Sequence, residues 1–85
     1  MKKIKINGVI KGEDYYTILF TEGREIYGAI ISLVPNAPVH LEFMKFADNK
    51  EDIISVTEES MPEEFARMKK DYFDQIMKYI HDKAN

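Results

Sequence analysis

Residues 60–83, SMPEEFARMKKDYFDQIMKYIHDK, decide the fold. At 100° per residue, Met61, Phe65, Met68, Tyr72, Phe73, Ile76, Met77, Tyr79 and Ile80 gather on one side of a cylinder. Glu64, Arg67, Asp71, Asp74, Lys78 and Asp82 occupy the other. The spacing predicts an amphipathic helix over about residues 61–83. Ser60 and Glu63 fit a capping box, in which the hydroxyl accepts an early helical N–H and the glutamate reaches back to the cap. Pro62 falls in the first turn, where its missing N–H costs little. Glu63 and Glu64 sit at the positive end of the helix macrodipole, and Lys78, His81 and Lys83 at the negative end.

A helix with one apolar side needs a surface to cover, and the preceding residues supply a sheet. Ile4 and Ile6 alternate with Lys3, Lys5 and Asn7, the period of two expected for a strand over about residues 2–10, with Gly8 marking a bulge or an end. Residues 15–21 are dense in aromatic and β-branched side chains and predict a second strand. Gly23 turns it into a third over about 25–34. Pro35 and Pro38 stop that ladder. Val39, Leu41 and Phe43 then alternate with His40, Glu42 and Met44 in a fourth strand over about 39–46. Polar turn residues 47–52 separate it from a short fifth strand over about 53–57.

Ile4, Ile6, Tyr16, Ile18, Phe20, Tyr27, Ala29, Ile31, Leu33, Val39, Leu41 and Phe43 form the expected inner face. The fold class is therefore α+β: an antiparallel meander of four or five strands with one C-terminal amphipathic helix packed on it. Short connections favour antiparallel neighbours, since parallel pairing needs long crossovers. A small, partly closed barrel plugged by the helix would bury the same residues.

Eighty-five residues make one domain with a modest core. Without cysteine there is no disulfide framework, thiolate nucleophile or cysteine-rich zinc site, so folding rests on apolar packing. No stretch approaches the roughly 20 apolar residues that span a bilayer, and the basic N-terminus lacks the apolar run of a signal peptide, which predicts a cytoplasmic protein without a membrane partner. The net charge of −3 is unevenly spread. Residues 1–11 hold four lysines and no acid, whereas residues 12–60 hold ten acids against three bases. That acidic centre argues against holding nucleic-acid phosphates by counterion release. Lys2, Lys3, Lys5 and Lys11 suit the solvated side of an edge strand.

Catalytic patterns are nearly absent. Gly8, Gly12, Gly23 and Gly28 are too dispersed to cradle a phosphate, and neither a nucleophile elbow nor an H-E-x-x-H run occurs. His40 and Glu42 share one side of a strand and could offer two metal ligands or an acid/base pair, although alternation with apolar residues is the ordinary outward face of a strand. His81 beside Asp82 suits a dipole-compensating cation. Glu58, Glu59, Glu63 and Glu64 cluster where a helix start favours negative charge. Tyr15 or Tyr16 near the lysines could stack single-stranded nucleic acid, or simply pack across strands.

Apolar surface is in surplus. The helical stripe spans about 180°, wider than the roughly 100° needed to sit on a sheet. Phe73, Met77 and Ile80 form one flank of it, and a second sheet face carries Tyr15, Leu19, Ile26, Ile30, Met44 and Phe46. These features predict a non-enzymatic protein-binding module, an inhibitor, adaptor or regulatory subunit, that needs no cofactor and pairs as a homodimer. The contact would run either through Phe73, Met77 and Ile80 or through Leu19, Ile30 and Met44. A nucleic-acid-binding domain using the basic strand and hairpin aromatics is the second expectation. A small enzyme or ligand carrier with a pocket between helix and sheet is the third.

Overall fold

The computed structural model describes residues 2–46 and 52–84. Among the described residues, strands β1 (Lys5–Lys11), β2 (Tyr15–Glu22), β3 (Glu25–Ser32), β4 (His40–Phe46) and β5 (Ile53–Val56) precede a single helix, α1 (Pro62–Ala84). All four strand pairs are antiparallel and the sheet order is β1-β2-β3-β4-β5, an open α+β meander with β1 and β5 as its edges. The sheet does not close into a barrel. Of the polar turn read over residues 47–52, all but Asp52 lies outside the described residues.

Local chemistry explains the connections. Glu22 pairs with Glu25, leaving Gly23 and Arg24 as a two-residue loop. Gly23 has φ 63° and Arg24 does not share the positive φ, the pattern of a type II′ hairpin turn. Between β3 and β4, the Ala37 N–H donates to the Val34 carbonyl at 3.2 Å, and Asn36 sits at φ 64°. Proline second and asparagine third in that turn suit type II geometry, because asparagine tolerates the left-handed region.

The core lies between α1 and one face of the sheet. Ile18, Phe20, Tyr27, Ala29, Ile31, Leu41, Phe43 and Val56 meet Phe65, Met68, Tyr72, Ile76 and Ile80 there. Ile4, Ile6, Tyr16 and Leu33 pack against its margin. The helix crosses the strands. Phe65 stacks tilted on Phe43 at 5.8 Å, Tyr72 meets Phe20 and Tyr27 at 5.2 and 5.6 Å, and Ile80 and Tyr79 line a cleft with Val9 and Tyr16. Its N-terminal half thus covers β4 and its C-terminal end reaches β1 and β2.

Three sequence expectations need correction. Val39 is 51% exposed, because it follows Pro38 beyond the last β3–β4 rung, Ser32 with His40. Ile80 is buried in the core and takes no part in a free helical flank, since the crossing carries the sheet under the helix's last turns. Ser60 does not cap α1. Met61 occupies the cap position, its carbonyl accepting the Phe65 N–H at 2.8 Å, while the Ser60 hydroxyl accepts the Thr57 N–H at 3.1 Å. The Ser60 N–H in turn donates to Thr57 Oγ1 at 3.0 Å. This reciprocal box sits one turn earlier than Ser60 and Glu63 suggest, with Thr57 as its cap and Ser60 in the glutamate's place.

Candidate functional site

Among the described residues, packing leaves open the sheet face turned away from α1. Strand alternation and register place Ile10, Tyr15, Thr17, Leu19, Thr21, Ile26, Ile30, Met44, Phe46 and Ile53 on it. Among the described residues no element covers this face. Ile10 is 62% exposed and Ile53 58%. Ile26, Ile30, Met44 and Phe46 are half-buried by their neighbours within the sheet. Lys5 and Glu42 are the charged residues at its outward positions, on β1 and β4 respectively, and Glu42 accepts the Ser55 hydroxyl.

One cross-strand row runs through the middle: Gly8 pairs with Leu19, Leu19 with Gly28, Gly28 with Met44 and Met44 with Ser55. Leu19 therefore stands between two glycines. The hollow at Gly28 is filled by the Met44 methyl, which lies 2.7 Å from where a Cβ would be. The hollow at Gly8 is open, with nothing within 4 Å of that position.

The structure brings Leu19, Ile30 and Met44 together on adjacent strands of this face. It separates Phe73 and Met77 from Ile80: the first two are half-buried at the core margin, and the third is inside. Ile10 and Ile53 belong to the open face but were not among the expected contact residues. The register shift between Ile6 and Gly8 reverses the strand's facing, so that Val9, not Ile10, continues the inner side. Gly8 was the sequence signal for that reversal.

The groups that suggested other chemistry are dispersed. Tyr16 lies on the inner side beneath the Lys11 ammonium, 6.0 Å from the ring centre, and Tyr15 is on the opposite face with its ring against Gly12. The two rings form no common platform. Lys2 pairs with Glu22 at 3.5 Å. His40 lines an open cleft of about 700 Å³ with Val39, Leu41, Thr57, Glu58, Glu59, Phe65 and Lys69. No charged or polar side chain there is buried, so nothing fixed points at a ligand. Among the described residues, no three His, Asp or Glu side chains converge as metal ligands would. No described helix is long and apolar enough to cross a membrane.

Polar groups at the inner margin serve the core. The buried Tyr72 hydroxyl donates to Glu22 Oε1 at 3.1 Å. Burial pushes its phenol up to about 12, against a lowering effect from the Arg67 guanidinium. Arg67 is held more firmly protonated than usual, chiefly by its hydrogen bonds to Glu64 and then by Tyr72. Comparison with protein-family models, curated proteins and solved structures returns no match.

Proposed function

We propose that this chain is a non-enzymatic, cytoplasmic protein-binding module, of the inhibitor, adaptor or regulatory-subunit kind, that docks through the open face of its sheet. The observation that carries the reading is the uncovered apolar surface spanning all five strands, from Ile10 through Leu19 and Ile30 to Met44 and Ile53. Single exposed apolar residues are normal on monomers, but a contiguous patch of this kind marks an interaction site. A two-layer domain already has its core between sheet and helix, so the second face contributes nothing to that core.

The test is chemical capture in the native cell. A photo-cross-linking amino acid at Leu19 or Ile30 should form protein adducts, whereas the same group at the exposed Asp74 of α1 should form few. Equal yields from all three positions would remove the sheet face as the docking surface. The His40 cleft is the observation favouring a second reading, a small-ligand carrier. Saturable movement of the His40 and Phe65 NMR signals on titration with small-molecule fragments would support it.

A further inference from the structure

Resting on the docking reading above, we infer that the occupant of the open sheet face is a second copy of this chain, packed sheet against sheet across a two-fold axis. The first argument is shape. A two-fold contact needs one patch that complements itself, with a projection and a recess on the same surface. Leu19 supplies the projection at 37% exposure, and the open hollow at Gly8, its neighbour in the same cross-strand row, supplies the recess. The Met44 methyl closes the other glycine position, which leaves one seat for one knob on each copy.

The second argument is charge. The chain carries a net charge of −3, so two copies meeting through their acidic segments would repel. The outward positions of the sheet carry one lysine, Lys5, and one glutamate, Glu42, and so cancel. A copy can approach this face without a like-charge penalty.

The third is area. Four strands of seven or eight residues and the four-residue β5, about 4.8 Å apart and at about 3.3 Å per residue, present a face of roughly 540 Å². Two such faces bury roughly 1,100 Å², above the roughly 1,000 Å² that a specific interface should clear. Sheets packed in this way lie about 10 Å apart with side chains interdigitated, which a ridge at Leu19 and a hollow at Gly8 permit.

Sedimentation of the full 85-residue chain tests the inference. The parent should run at twice its 10.0 kDa mass at high micromolar concentration. Leu19→Glu should halve that mass, Gly8→Val should weaken pairing about tenfold by filling the hollow, and Met77→Glu should leave the dimer intact. Circular dichroism of each variant establishes that it is folded, and Leu19 and Gly8 both lie outside the core. A parent that stays at 10.0 kDa overturns the second copy as occupant. The docking reading then still stands or falls on cross-linking at Leu19 and Ile30. A folded Leu19→Glu and Gly8→Val pair that dimerise like the parent, or dissociation by Met77→Glu alone, also overturns it.

Discussion

The Gln75 side chain accepts the Ile4 N–H at 3.1 Å through Oε1, joining positions 71 residues apart in sequence. Its Nε2 donates to the Lys2 carbonyl and to the Asp71 carbonyl one helical turn back. One amide side chain thus takes the place of a missing neighbouring strand for the backbone just before β1. It ties the outer edge of the sheet to the middle of α1, where propensity alone would leave residues 2–4 to fray.

Gln75→Ala should therefore act locally. Each lost hydrogen bond costs about 1 kcal/mol, and the freed Lys2 and Ile4 backbone groups, outside the sheet ladder, can turn to water. We expect a loss of about 1–2 kcal/mol in urea melts, with amide exchange faster at Ile4 and unchanged at Ile18. Uniformly faster exchange across β1–β3 would mean that the tether supports the whole sheet.

The Thr57–Ser60 box gives a second contrast. Because each hydroxyl accepts the other's backbone N–H, removing either breaks a mutual arrangement. Thr57→Ala and Ser60→Ala should each cost about 1 kcal/mol, typical for a lost cap. The double substitution should cost clearly less than the sum, since contacting partners are not additive. Additive losses in denaturant titrations would show that the two hydroxyls act separately.

Tyr72 sets an alkaline limit. Its phenol is held up to about 12 in the folded chain, against an ordinary value of 10.0 that it regains on unfolding. Between those values the unfolded state has released a proton that the folded state keeps, so stability is full below pH 10 and declines as pH rises toward 12. Tyr72→Phe loses the hydroxyl's bond to Glu22 but also this proton linkage. Its stability should fall less steeply than the parent's over that interval, measured by urea titration at stepped pH. Parallel slopes for the two proteins would refute the assignment to Tyr72.

Much of the fold was legible because period-two alternation is a local signal. Ile18 with Phe20, Tyr27 with Ala29 and Ile31, and Leu41 with Phe43 all fall inside as the pattern requires. The failures share one cause: each depends on where an element begins or crosses another. Val39 alternates correctly but lies before β4 starts. The motifs at residues 57–60 and 60–63 overlap, and sequence spacing does not choose between them. A helical wheel gives the arc of apolar residues on α1, but only the crossing direction shows that the sheet lies under Ile80 and leaves Phe73 and Met77 at the margin. Of the candidate contact residues, Leu19, Ile30 and Met44 were legible as one face. Ile10 was not, because a bulge reverses the facing of every residue after it.

The two sheet edges differ in a way that predicts aggregation behaviour. β1 carries Lys5 and Lys11, a bulge between Ile6 and Gly8, and the Gln75 tether just before it, devices that discourage another strand from adding there. β5 reads Ile-Ile-Ser-Val, with neither charge nor proline, and its Ile53 and Ile54 are 58% and 46% exposed. Its shortness is its main protection. Ile54 pairs with Lys45 on the helix side of the sheet, and Lys45 lies 3.9 Å from Glu64, so a second lysine there would meet a carboxylate close at hand. An inward-pointing charge on an edge strand is a natural guard against edge-to-edge pairing. Ile54→Lys should therefore slow aggregation on heating severalfold, followed by light scattering, while changing folded stability by less than about 1 kcal/mol because Ile54 contributes little to the core. Lys5→Ile, which strips a guard from the other edge, should speed aggregation less than Ile54→Lys slows it, since the bulge and the tether remain. If Ile54→Lys aggregates at the parent's rate, β5 is not the edge through which the heated chains join.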